Sequence, residues 1–323
     1  MEIDRIVKKG IDAGAFPGCQ VLVAVEGKII WRKSYGFHTY ANTRAVQNTD
    51  LYDIASVTKI AASTSSLMIL DSEGKFDLSS KLGEYLPELT KGTRYSNILL
   101  KNMMAHQAGL VAWIPFYKRT LSEGRPSAEW YAPMKSPETN VPVATNLWVK
   151  DAYTDTMYSR ILRTPLKSIR YKYSDLGYYF VKKIIEKQSG EKMEDFTLKH
   201  LYEPMGLRYM RYKPLDYFPL SKITPAEDDQ YFRKQLVHGH VHDPGAAMIG
   251  GVGGHAGLFS NAGDMAALMQ MYLGKGSYGG TEYIAPNVIA EYTKRQFSRN
   301  RRGAGFDKPK IDGNGGTCYK GAS

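Results

Sequence analysis

The segment Leu51-Tyr52-Asp53-Ile54-Ala55-Ser56-Val57-Thr58-Lys59-Ile60 constrains this chain more than any other. A short extended run ends there. An apolar helical pattern carried by Ile60, Ala61, Leu67, Met68 and Leu70 then begins at the serine. Lys59 follows Ser56 by three residues, so on a helix its amine stands one turn away on the same face. Both groups fall at the positive end of the helix dipole. A serine hydroxyl is a weak nucleophile until a neighbouring base takes its proton, and this spacing supplies an amine for that purpose. The simpler reading of Ser56 is a helix N-cap.

Ser-x-x-Lys by itself decides little, because it recurs at Ser72/Lys75 and Ser189/Lys192. Gly74 and Gly190 interrupt those two, each at a probable helix end. Only Ser56 is followed by an unbroken helical pattern.

With 323 residues the chain can bury a large core, divided into two lobes around one cleft. No apolar run reaches the roughly 18 residues of a membrane span, and the first residues lack the apolar core of a signal peptide. Two cysteines, Cys19 and Cys318, form no Cys-x-x-Cys motif, and a single disulfide between them is not required. The net charge of +11 is spread along the chain, which argues for a basic surface rather than a nucleic-acid partner. Its densest cluster, Lys294, Arg295, Arg299, Arg301 and Arg302, reads as a solvated loop.

Helical spacing runs over residues 3–13, and Cys19–Val25 and Lys28–Tyr35 read as two strands joined at Glu26-Gly27. Leu78–Leu86 follows, closed by Pro87, and then a helical run from Asn97 to Met104. Residues 111–170 are rich in Trp, Tyr, Pro, Lys and Arg with weak periodicity, the mark of a lid-like or disordered insertion; an overhang above the cleft is expected. Helical patterns resume over Leu176–Gln188 and Phe196–Tyr202. A glycine-rich segment, Gly250–Gly257, leads to a helix capped by Asn261 or Asp264. The early hairpin is the only clear strand pair, and two strands are marginal in water. The insertion must hide more strands, or the sheet needs residues after Ser323; Gly313–Tyr319 is one place for a last strand.

A serine–lysine pair gains from a further proton carrier. Tyr-x-Asn/Asp occurs at Tyr40/Asn42, Tyr95/Asn97, Tyr153/Asp155 and Tyr173/Asp175. Tyr173-Ser174-Asp175-Leu176-Gly177 stands out because it directly precedes a helix. A nearby ammonium favours a phenolate. The plainer reading of any one tyrosine is a core or rim residue.

Taken in order, Ser56-Val57-Thr58-Lys59, His106-Gln107-Ala108-Gly109-Leu110, Tyr173-Ser174-Asp175 and Gly254-His255-Ala256-Gly257-Leu258-Phe259-Ser260 resemble the serine β-lactamase and penicillin-binding protein superfamily, in its class C-like branch. The resemblance covers about residues 16–310 and implies an α+β (α/β) fold: an antiparallel sheet flanked by helices, plus a mostly helical lobe. The sheet lobe would comprise about residues 1–55 and 260–323, and the helical lobe about 56–259. It further implies a serine hydrolase that passes through an acyl-enzyme on an amide, ester or β-lactam carbonyl, as a carboxypeptidase, esterase or β-lactamase does. Ser56 would be the nucleophile, and Lys59 and Tyr173 would share the proton traffic. Asp175 would orient Lys59 and meet the substrate amide. His255 falls in the glycine-rich segment and would help bind or orient substrate. No cofactor or metal is implied. The substrate would be a small-molecule or peptidoglycan-derived acyl donor, and the location periplasmic or otherwise extracytoplasmic.

The family's third motif, Lys-Thr-Gly or His-Thr/Ser-Gly on a strand lining the cleft, does not occur in this chain. His255-Ala256-Gly257 reads as a decoy inside the glycine segment. The expectation is therefore a truncated chain lacking about three strands and a terminal helix of the family's sheet, with weak or no turnover. Two rivals remain open. One is a non-catalytic receptor for wall fragments, favoured by the missing motif. The other is a zinc metallohydrolase using His238, His240 and His242, which face one way if that segment is a strand.

Overall fold

The computed structural model describes residues 2–309. It opens with helix α1 (Glu2–Asp12) and the hairpin of β1 (Gly18–Val25) and β2 (Lys28–Gly36), antiparallel with a bulge at Val23/Ala24. Glu26 and Gly27 both take positive φ, 52° and 74°. That two-residue turn matches the natural strand twist, so the hairpin forms where its sequence signal lay.

The chain then passes through β3 (Tyr52–Asp53) into a composite helix: a 3₁₀ turn (Ala55–Val57), a π-helical segment (Lys59–Thr64) and α2 (Ser65–Ser72). Ser56 thus lies in a 3₁₀ turn rather than at an α-helix start. Residues 65–70 are all buried, so the helix runs through the core rather than along its edge. Next come α3 (Leu82–Tyr85), α4 (Pro87–Thr90) and α5 (Leu100–Met104). Pro87 opens a helix instead of only closing one, as a proline at the first helical position can.

The insertion is folded. It holds a small hairpin, β4 (Leu121–Ser122) with β5 (Arg125–Pro126), and a three-stranded sheet of β6 (Tyr131–Ala132), β7 (Val141–Ala144) and β8 (Leu147–Val149) in the order β6-β8-β7. Helix α6 (Tyr153–Arg163) closes it. Strands of two to four residues are too short to print a period of two, and aromatic contacts such as Tyr131 of β6 with Phe232 (5.9 Å) and Trp130 with Tyr153 of α6 (4.9 Å) pack around them.

Beyond it lie α7 (Leu176–Ser189), α8 (Met193–Thr197) continuing into a π-helical turn (Leu198–Tyr202), β9 (Arg211–Tyr212), and the pair β10 (Glu227–Asp229) and β11 (Gln235–Val237). Then follow α9 (Pro244–Ala247), β12 (Leu258–Ser260), α10 (Ala262–Leu273) and α11 (Pro286–Thr293). Asn261 is the cap of α10, its Oδ1 accepting the Asp264 amide at 2.9 Å. β12 is the centre of an antiparallel sheet ordered β3-β12-β9. This α+β arrangement surrounds one large apolar core built on Leu67, Met68, Phe180, Ile184 and Tyr202. A small second cluster of Leu51, Ile223 and Phe259 lies under β12. Gly313–Tyr319 and Cys318 lie outside the described residues; Cys19 is half-buried on β1.

Candidate active site

Ser56 is exposed on a turn whose preceding residue, Ala55, has φ 46°, a left-handed value unfavourable for a residue with a Cβ. Asp53 holds this turn: its Oδ1 accepts the Ala55 amide at 2.8 Å and its Oδ2 the His242 amide at 2.7 Å. Burial raises the Asp53 pKa, and those two amide bonds offset part of the rise. The strain presents the hydroxyl outward from the end of a buried helix.

Lys59 begins the π-helical segment and is only 3% exposed. Its Nζ lies 2.9 Å from Ser56 Oγ, 2.7 Å from Asp175 Oδ1 and 3.1 Å from the backbone oxygen of His255. The contacts to Ser56 and to the His255 carbonyl are hydrogen bonds, and the contact to Asp175 is an ion pair. Tyr173 joins through its ring, whose centroid is 5.0 Å from Lys59 Nζ. Among the described residues its hydroxyl makes no hydrogen bond to Ser56 or Lys59. The four residues drawn from the Ser-x-x-Lys and Tyr-x-Asp patterns, with Ser174 between, are therefore brought to one place.

The block His106–Leu110 is the frame for Tyr173. His106 O accepts the Lys172 amide at 2.9 Å and Gly109 O the Lys167 amide at 2.7 Å. The His106 ring packs on Tyr173 at 4.3 Å, and its Nδ1 accepts the Ser174 amide at 3.2 Å. Burial, then the charges of Arg302 and Lys59, push the His106 pKa down to about 3, which keeps the imidazole neutral and able to accept.

His255, expected to help bind or orient substrate, has its ring engaged within the protein. Its side chain is 2% exposed, its Nε2 is 2.8 Å from Asp243 Oδ1, and its ring stacks on Tyr179 at 4.5 Å. The glycine segment is clamped to the nucleophile helix by other bonds as well: Ser63 Oγ donates to Gly254 O at 2.6 Å, and the Leu258 amide to Thr58 Oγ1 at 3.2 Å. A Cβ on Gly254 would sit 2.1 Å from Tyr178 O, so only glycine allows this approach. Residues Trp113–Tyr117 of the insertion line a pocket of about 50 Å³ together with Asp175, Asp243 and His255.

Two residues escaped the sequence reading. Asp243 sits in an Asp-Pro-Gly helix-start pattern that signals an N-cap but not a partner 12 residues away. Arg302 belongs to the cluster read as solvated, yet its side chain is only 11% exposed. Its guanidinium lies 5.5 Å from the Tyr173 ring centroid and 3.2 Å from Asp307. The three histidines do not converge. His238 Nε2 bonds Ile223 O at 2.7 Å, His242 pairs with Glu227, and burial pushes the His240 pKa down to about 4. Among the described residues no group of three or more His, Cys, Asp or Glu is arranged to hold a metal.

The fold, with a serine and a buried lysine in contact at the head of its central helix, defines the class of penicillin-binding proteins and serine β-lactamases. The chain belongs to the Beta-lactamase family, whose model matches residues 3–317. It is 30% identical over 308 residues to an N-acetylmuramyl-L-alanine amidase of Bacillus subtilis (strain 168), covering 86% of this chain and 63% of that protein. It is 28% identical over 340 residues to a "Putative D-alanyl-D-alanine carboxypeptidase" of Escherichia coli (strain K12), covering 97% and 72%. Among solved structures, the octameric penicillin-binding protein homologue from Pyrococcus abyssi superposes with a TM-score of 0.68 at 17% identity, over 94% of this chain and 64% of that one. FmtA from Staphylococcus aureus does so at 0.65 and 18%, over 94% and 73%. The chain thus spans less than two thirds of the amidase and of the Pyrococcus homologue. No helix among the described residues is long and apolar enough to cross a membrane.

Proposed function

We propose that this protein is a serine hydrolase that cleaves amide bonds of peptidoglycan-derived peptides outside the cytoplasm, through an acyl-enzyme on Ser56. The observation that carries the reading is the 2.9 Å contact between Ser56 Oγ and a lysine amine buried to 3%. The muramyl-amidase and carboxypeptidase relatives support the substrate class.

The Asp175 carboxylate pairs with the Lys59 amine, and the His255 carbonyl accepts one of its N–H groups. In its neutral form the amine then turns its lone pair to the Ser56 hydroxyl. Lys59 takes that proton as Oγ bonds to the substrate carbonyl carbon. The Ser56 amide, in a first helical turn without an intrahelical partner, receives the oxyanion. The C–N bond breaks as the leaving amine accepts the proton that Lys59 took from Ser56, passed on through the Tyr173 hydroxyl as the ring closes on the bound substrate. Water, attacking the ester with Lys59 again taking its proton, frees the acid and returns that proton to Ser56. Asp175 also faces the pocket lined by Trp113–Tyr117, where it meets the substrate amide.

The test is covalent labelling by a fluorescent penicillin and by an activated ester, read by intact mass. One adduct, lost in Ser56→Ala and slowed at least about 100-fold in Lys59→Met, is expected, in line with the usual worth of a positioned base. Label that persists in Ser56→Ala removes the nucleophile assignment.

A further inference from the structure

Two acceptors decide where the free position of the Lys59 amine points. One is the Asp175 carboxylate; the other is a backbone carbonyl in Gly250-Gly251-Val252-Gly253-Gly254-His255-Ala256-Gly257. Glycine-rich backbone loses more freedom on ordering than any other, so this carbonyl needs an anchor. The His255 side chain is that anchor. It is buried to 2%, bonded through Nε2 to Asp243 and stacked on Tyr179 at 20°. Asp243 is itself fixed, because its Oδ1 also accepts the Ala246 amide at 2.7 Å as the cap of α9. Tyr179 belongs to α7, the helix that Asp175 precedes. Gly245 leaves room for the Tyr179 ring, since a Cβ there would lie 2.2 Å from its hydroxyl.

We propose that Asp243 and His255 are positioning residues that aim Lys59 at Ser56 through the His255 backbone carbonyl. The inference rests on Ser56 and Lys59 being the acylating pair. Burial opposes ionisation of Asp243, but the His255 imidazole, the Ala246 amide and the Lys59 charge outweigh it and hold the carboxyl well below its ordinary range. The dyad therefore stays a charge-assisted bond at neutral pH.

Three substitutions separate this role from general support of the fold. Asp243→Ser keeps a cap for α9 but is too short to reach His255. His255→Leu removes the bond to Asp243, and His255→Gln keeps a donor near the Nε2 position. Single-turnover labelling with fluorescent penicillin gives the acylation rate constant and the apparent affinity separately. Asp243→Ser and His255→Leu should slow acylation about 20- to 100-fold, since misplacing a reacting group by about 1 Å costs on the order of 100-fold. Affinity should hold within about threefold, and His255→Gln should recover most of the rate. A crystal structure of Asp243→Ser should show the Lys59–Ser56 contact opened beyond about 3.5 Å, outside hydrogen-bond range. That measurement stands even if the wild-type protein acquires no label, a result that removes the function proposed above. Wild-type acylation in Asp243→Ser, an unopened contact in its structure, or a rate loss that follows melting temperature across the variants overturns the inference.

Discussion

Asp175→Ala tests whether the Lys59–Asp175 pair is an energetic unit. At 2.7 Å the attraction between unit charges is roughly 6 kcal/mol at an effective dielectric constant of about 20. Most of that is offset by the hydration Lys59 forgoes at 4% side-chain exposure. Removing one partner of a buried pair costs about 3–5 kcal/mol. Here Asp175 is 26% exposed, and Ser56 and the His255 carbonyl stay on the amine, so about 2–3 kcal/mol is expected. Lys59→Met leaves a carboxylate that water can still reach and should cost about 1 kcal/mol. The double variant contains no stranded charge, so it should be more stable than the sum of the single losses by about 1.5 kcal/mol. Urea unfolding measures all three, with the denaturant slope unchanged as the check that only stability moved. Additivity within about 0.5 kcal/mol would refute the pairing argument.

His106 gives a pH prediction. Its folded pKa of about 3 lies below the ordinary value near 6.5, so between these limits the unfolded chain binds a proton that the folded chain does not. Stability should be full above pH ~6.5 and fall as pH drops toward ~3. His106→Asn should flatten that limb, read as urea midpoints from pH 7 to 4; an unchanged slope counts against a buried neutral imidazole. Gly254→Ala should cost about 1–3 kcal/mol by the same assay, because its methyl meets Tyr178 O at 2.1 Å. A neutral result there would mean the glycine segment does not press on α7.

Local signals proved sufficient for the hairpin at Glu26-Gly27, for α7 and for the Asn261 cap of α10. Each is decided by residues within a few positions of one another, where turn chemistry and side-chain period act directly. The insertion was harder to read. Its strands are held by aromatic contacts rather than by alternation, and Phe232, one of their partners, lies far outside it in sequence. Arg302 was misread for a related reason: a run of basic residues looks solvated until Tyr171 and Tyr173 are seen beside it.

Within the site the same division holds. The spacing of Ser56 and Lys59 sets one amine beside one hydroxyl once the helix after Ser56 forms, because three residues make close to one helical turn. No pattern in the chain states that Asp243 reaches His255, or that the carbonyl of His255 rather than its ring meets Lys59, 196 residues away. Packing decides those contacts, since burial of α2, α7 and the glycine segment against one core brings together polar groups that lie far apart in sequence.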